Sequence, residues 1–100
     1  MTALLDAGRV VSHPFVIGEI ALGHLEQRAL VLQSLTELPQ AVVATENEVI
    51  ALIDAHELYG LGIGYIDAHL LAAVRLTAGC SLWTRDKRLR PVASGFGLSA

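Results

Sequence analysis

Residues 79–86 read Gly-Cys-Ser-Leu-Trp-Thr-Arg-Asp, a short run with a glycine before it and a charged pair after it. The run Cys80 to Thr84 lies between a glycine and the charged pair Arg85-Asp86, which predicts a short buried strand. The carboxyl ends of parallel strands open into a ligand crevice, so Asp86 is a candidate functional residue. Thr84, two residues earlier, points to the same side if the strand continues to Asp86.

Helical patterns surround this strand. Ile66 to Ala78 has apolar residues at helical spacing before Gly79, and a short helix is expected from Asp86 to about Ala93. Further upstream, the pattern predicts helices from Pro14 to about Leu25, from Glu26 to Leu38, and from Glu46 to about Tyr59, with a short strand at Ala41 to Thr45. This alternation predicts an α/β sandwich with a mainly parallel sheet and a single domain over residues 1–100. No strand is expected before the first helix.

Composition excludes several classes of protein. With 53% hydrophobic and 17% charged residues, the 100-residue chain is expected to form one small globular domain. A net charge of -3 gives no bulk attraction to nucleic acid, although a local positive end contains Arg85, Lys87, Arg88 and Arg90. A single cysteine, no signal sequence and no long apolar run predict a cytoplasmic protein with no membrane partner.

Glu19 and Asp67 are acids with nonpolar neighbours one helical turn away on each side. A carboxylate among apolar residues is costly unless it is paired or binds a cation. Together with Asp86, these acids suggest oxygen ligands for a hard cation such as Mg²⁺, which nucleases use to activate water. Taken singly, each acid could instead be an ordinary residue at a helix edge or in a helix cap, with no role in binding a cation. The basic run from Arg85 to Arg90 would then hold a polyanion, or would form an ordinary solvated helix.

Three segments together resemble the PIN-domain ribonucleases, specifically the VapC-type toxins of bacterial toxin-antitoxin systems. They are Pro14 to Gly23, Gly62 to Ala73 and Leu82 to Leu89. The resemblance implies a PIN-like three-layer sandwich and metal-dependent endonucleolytic cleavage of RNA. It also implies Mg²⁺ as the cofactor, with Mn²⁺ as the alternative ion, and a VapB-like antitoxin and a second copy of the chain in a homodimer as partners.

The same resemblance assigns roles to individual residues. Glu19, Asp67 and Asp86 match the family's catalytic metal ligands, and Thr84 matches its hydroxyl residue behind the metal. From the basic run itself, and not from the resemblance, Arg85, Lys87 and Arg88 are expected to contact the RNA backbone.

The chain departs from the family pattern at its beginning. The family starts with a strand that ends in a further Asp ligand, and both are expected to be missing here. Asp6 lies only 13 residues before Glu19, too few for the family's connecting helix, so Asp6 is expected in a loop or at a helix edge. This predicts an N-terminally truncated domain whose strand at Cys80 to Thr84 is an unpaired edge prone to aggregation. The alternative function is a catalytically impaired remnant that acts only as a protein-interaction module.

Overall fold

The structure is a computed structural model that describes residues 2–6 and 9–99. Two strands are followed by four helices, a third strand and a last helix. In chain order the elements are β1 (Thr2–Asp6), β2 (Arg9–Val11), α1 (Pro14–Leu22), α2 (Arg28–Glu37), α3 (Glu46–Ala55), α4 (Tyr65–Leu76), β3 (Cys80–Thr84) and α5 (Leu89–Gly95). The predicted α/β class is therefore confirmed, and β3 has the bounds that the sequence predicted.

The sheet has β1 at its centre, in the order β2-β1-β3. Both pairings are antiparallel: Thr2 lies opposite Thr84, and Leu4 lies opposite both Leu82 and Val11. Parallel contacts among the described residues are limited to isolated bridges. The prediction of a mainly parallel sheet is thus wrong for the part of the chain that the structure describes, because the neighbours of β1 are a short return strand and a strand that runs in the opposite direction.

The start of the chain also differs from expectation. Residues 2–6 form the central strand, although they were expected to contain no strand, and Asp6 ends that strand opposite Cys80. β3 is consequently paired along its whole length with β1 and is not an unpaired edge. The physical reason is burial: Leu4 and Leu82 are 1% and 0% exposed where the two strands meet. The segment Ala41 to Thr45, in contrast, is not a strand.

Helix α4 forms the centre of the core. Every residue from Ala68 to Val74 is buried, and α4 packs against both α3 and β3. Helix α3 begins with a capping box in which Thr45 Oγ1 accepts the Glu48 N–H and Glu48 accepts the Thr45 N–H. It ends earlier than predicted, since Glu57 has the left-handed φ of 52° and turns the chain away.

Helices α1 and α2 form a pair that contributes no buried residue of its own. Helix α1 begins at Pro14 as predicted and ends at Leu22, before Gly23. Helix α5 begins at Leu89, later than predicted, because Asp86 to Arg88 form the turn that precedes it. Across residues 2–6 and 9–99, the helices are too short or too polar for any of them to cross a membrane.

Candidate functional site

The three acids singled out from the sequence lie on separate elements. Glu19 is on the exposed side of α1, Asp67 is in the first turn of α4, and Asp86 follows β3. Burial raises the pKa of the Asp67 carboxyl, and the negative charges of Asp86 and Glu19 raise this pKa further. The fold therefore brings the three carboxylates into one electrostatic neighbourhood, although they are separated by up to 67 positions in the sequence.

Asp86 is held by the turn that it begins. Its Oδ1 accepts the backbone N–H of Arg88 at 2.8 Å and that of Leu89 at 3.2 Å. These hydrogen bonds lower the pKa of the Asp86 carboxyl, so it stays ionised well into the acidic range. The environments of Asp67 and Asp86 thus push their pKa values in opposite directions.

Thr84 positions the backbone of Asp86. The Asp86 N–H donates to Thr84 Oγ1 at 3.1 Å, and the same oxygen lies 2.8 Å from Thr2 Oγ1. Thr84 is only 5% exposed, so its hydroxyl acts from beneath the site. The sequence suggested a role for Thr84 behind Asp86. It gave no signal for Thr2, because the contact depends on the pairing of strands about 80 residues apart.

The loop before Asp67 is joined to the turn after Asp86. Gly64 donates its N–H to Asp67 Oδ2 at 3.4 Å, and Arg88 donates from its guanidinium to the Gly62 carbonyl at 3.4 Å. Gly62 has a φ of +79°, and a Cβ there would lie 3.0 Å from Arg88 Cδ. Glycine is therefore required both by the backbone conformation and by the close approach of the arginine.

Beside the acids is a cavity of about 490 Å³. Glu19 and Asp67 contribute to its wall, and most of the remaining surface is apolar. Ser12 also lines it. This side chain is 2% exposed, and its hydroxyl has no hydrogen-bond partner among the described residues. Nothing in the sequence marked Ser12, since its neighbours Val11 and His13 are equally buried.

The acids of the predicted metal site do not surround a single point. Among residues 2–6 and 9–99, no three His, Cys, Asp or Glu side chains stand close enough together to hold one metal ion. The carboxylates of Glu19 and Asp86 are exposed, whereas that of Asp67 is half-buried. Their shared negative potential suits a cation, and the assignment of these acids as metal ligands stays a prediction. Asp6 does not join them, because it lies at the opposite end of β1 from Thr2.

The basic residues after β3 have different surroundings. The Arg85 guanidinium lies 5.5 Å from the centre of the Trp83 ring, and Lys87 is exposed. Arg88 is exposed as well, but its guanidinium also contacts the Gly62 loop. Arg90 donates two hydrogen bonds to the Thr84 carbonyl, at 3.4 and 3.3 Å, so its role is to close the end of β3.

No family model matches the chain, and no solved structure matches it. Two curated proteins do: the proteins named Ribonuclease VapC32 in Mycobacterium tuberculosis strains CDC 1551 / Oshkosh and H37Rv. Each is 42% identical over 99 residues, which cover 99% of this chain and 80% of the relative. The resemblance seen in the three sequence segments is thereby confirmed, and the chain belongs to the family of VapC-type PIN ribonuclease toxins.

Proposed function

We propose that this protein is a magnesium-dependent endoribonuclease toxin that cleaves RNA phosphodiester bonds in the cytoplasm. The observation that carries the proposal is the cavity that Glu19 and Asp67 both line. The negative charges of Asp86 and Glu19 also act to raise the pKa of Asp67, which supports the grouping of the three acids. A half-buried carboxylate near two others is disfavoured until a cation or a proton neutralises it. The 42% identity to proteins named ribonucleases supports the same chemistry.

In this proposal Glu19, Asp67 and Asp86 would hold Mg²⁺, or Mn²⁺. The ion would lower the pKa of a bound water and offset charge on the scissile phosphate. Asp86 is kept ionised by its backbone hydrogen bonds, and Thr84 keeps the Asp86 backbone in place. Arg85, Lys87 and Arg88 would bind the phosphates on either side of the cleaved bond. None of these side chains needs to become covalently attached to the RNA.

The test compares wild-type protein with Asp67→Asn and Asp54→Asn, the latter an exposed acid on α3 that serves as a matched control. Cleavage of total bacterial RNA is measured across a Mg²⁺ titration, and Mn²⁺ binding is measured by electron paramagnetic resonance. We expect Asp67→Asn to lower the cleavage rate by at least roughly a hundredfold and to weaken Mn²⁺ binding. Full activity and full Mn²⁺ binding in this variant would remove Asp67 from the site.

We further propose a VapB-like antitoxin and a second copy of the chain as partners. Helices α1 and α2 support this, because they are rich in apolar residues that stay at the surface, with Leu22 86% exposed and Leu30 58% exposed. Such a patch is typical of an interface. Sedimentation of the wild type and of Leu22→Glu tests the homodimer: we expect dissociation of the variant, and an unchanged dimer would move the interface elsewhere.

A second candidate is the interaction module without catalysis. It is favoured by the absence, among the described residues, of three ligands placed around one point. In the RNA cleavage experiment, this second candidate predicts that the wild type shows no Mg²⁺-dependent cleavage. In a separate binding measurement, it predicts that the wild type still binds the antitoxin.

A further inference from the structure

Arg88 lines a second groove. It has a volume of about 580 Å³, within the usual range for small-ligand sites, and is separate from the cavity that Glu19 and Asp67 line. Arg88 connects the two regions: its backbone N–H bonds to Asp86 Oδ1, while its side chain lines the groove. A ligand that extends from Asp86 past Arg88 would therefore enter this groove.

The walls of the groove differ in chemistry. Lys87 and Arg88 provide the cationic part of the wall. Leu61, which is 47% exposed, and Phe96 provide an apolar and aromatic part. Cations and an aromatic ring in one groove are the combination found in sites for single-stranded nucleic acid, where phosphates meet the cations and bases stack on rings.

The aromatic wall is held rigidly by three helices. The Phe96 ring meets the His56 ring edge to face, with centroids 4.5 Å apart and planes at 89°. The Arg75 guanidinium lies 5.6 Å from the centre of the Phe96 ring and donates to His56 Nε2 at 3.0 Å. These contacts join the ends of α3 and α5 to α4, so little further ordering is needed when a ligand binds.

We infer that this groove binds one nucleotide of the single-stranded RNA substrate, next to the cleaved bond, with its phosphate on Lys87 and Arg88 and its base against Leu61 and Phe96. The inference rests on the proposed ribonuclease function. The local charge of Lys87 and Arg88 argues for RNA as the occupant of the groove. Elsewhere the acids at Glu19, Asp67 and Asp86 repel phosphates, and the whole chain has a net charge of -3. The cationic wall beside Asp86 offsets this repulsion locally.

The test uses Leu61→Glu, which places a negative charge in the groove without removing a buried side chain. Ile50→Glu on α3 is the matched control. Ile50 is 45% exposed and does not line the groove, and this substitution likewise replaces an apolar side chain by Glu. Binding of a fluorescein-labelled eight-nucleotide random RNA pool is measured by anisotropy in EDTA. We expect Leu61→Glu to weaken binding roughly tenfold, and Ile50→Glu to stay within about twofold of the wild type.

A second measurement uses the wild-type protein. RNA of the same length that contains 4-thiouridine is crosslinked by light, and the attached peptide is identified by mass spectrometry. Crosslinks within residues 87–96 support the inference. Crosslinks found only on α1 or α2, or equal binding by Leu61→Glu and Ile50→Glu, would overturn it.

The outcomes separate this inference from the proposed function. If the wild type cleaves RNA with Mg²⁺ while Leu61→Glu binds as tightly as Ile50→Glu, the groove is wrong and the ribonuclease stands. If the wild type cleaves no RNA but Leu61→Glu still weakens binding, RNA binding in the groove stands and the ribonuclease is wrong.

Discussion

At the scale of single residues, Asp67 links stability to pH. Its folded-state pKa lies above its ordinary value of about 3.9, first because of burial and then because of Asp86 and Glu19. The folded state therefore binds the proton more tightly than the unfolded state, and stability falls as pH rises through this interval. At neutral pH without divalent ions, we expect Asp67→Asn to melt at the same temperature as the wild type or higher.

Differential scanning calorimetry in EDTA checks this expectation, with Asp54→Asn as the exposed control. A clearly lower melting temperature for Asp67→Asn alone would mean that its hydrogen bond with Gly64 outweighs burial and repulsion.

His13 links stability to pH in the opposite direction. It is fully buried at the start of α1, and its Nδ1 accepts the Phe15 N–H at 3.0 Å. Burial lowers its pKa, and the nearby His69 lowers it further. Below about pH 6.5 the unfolded state takes up a proton that the folded state resists, so stability is lost as pH falls. We expect His13→Asn, which keeps an acceptor at the helix start, to lose less stability than the wild type between about pH 7.5 and about pH 5.5.

Urea denaturation at both pH values measures this difference, and His24→Asn, at an exposed position, is the control. An equal loss of stability in His13→Asn and the wild type would show that another group carries the pH dependence.

At the scale of elements, the start of α3 is fixed by a local signal. Thr45 and Glu48 satisfy each other's backbone N–H groups, so the helix begins where the sequence predicted. We expect Thr45→Ala to lower the free energy of unfolding by about 1 kcal/mol, as measured by urea denaturation. Thr36→Ala, near the end of α2, should change it by less than about 0.5 kcal/mol, because that exposed hydroxyl is not a helix cap. Equal effects would contradict the capping role.

The difference between local sequence signals and long-range contacts explains which elements could be predicted. The bounds of β3 and the starts of α1 and α3 follow from nearby prolines, glycines and caps. β1 carries no such signal: its Thr-Ala-Leu-Leu-Asp sequence lacks strict alternation and contains good helix formers. Its strand conformation depends on pairing with β3, about 80 residues away, and this long-range contact also determines the direction of the sheet.

At the scale of the whole molecule, stability depends on the central strand. Leu4 is 1% exposed and lies opposite both Leu82 and Val11. We expect Leu4→Ala to cost roughly 2 to 5 kcal/mol, a large fraction of the stability of a small domain. Leu30→Ala, at a position 58% exposed on α2, should cost less than about 0.5 kcal/mol. Thermal and urea unfolding of both variants measure the effect, and a small loss for Leu4→Ala would contradict the central place of β1.

The candidate site could be predicted only in part, because some of its residues come together only when distant segments of the chain meet. Glu19 and Asp67 were singled out because charged side chains among apolar neighbours are unusual, and in the structure the two residues line one cavity. Thr2 and Ser12 were missed, since small hydroxyl residues acquire their role only when distant segments meet. Sequence patterns report the cost of an isolated charge, but they do not report which residues line a shared cavity.

The hydrogen bond between the side chains of Thr2 and Thr84 has a practical consequence for fusion proteins. Thr2 lines the same cavity as Glu19 and Asp67, so a protein fused close to Thr2 starts beside a residue of that cavity. A fluorescent protein or affinity tag joined there would crowd incoming RNA, even in a perfectly folded molecule. Attached after Ser99, which lies beside the middle of β3, the same tag would start from another part of the sheet. We therefore expect two fusion proteins with the same tag, one with the tag before Thr2 and one with the tag after Ser99, to differ in their toxicity to cells.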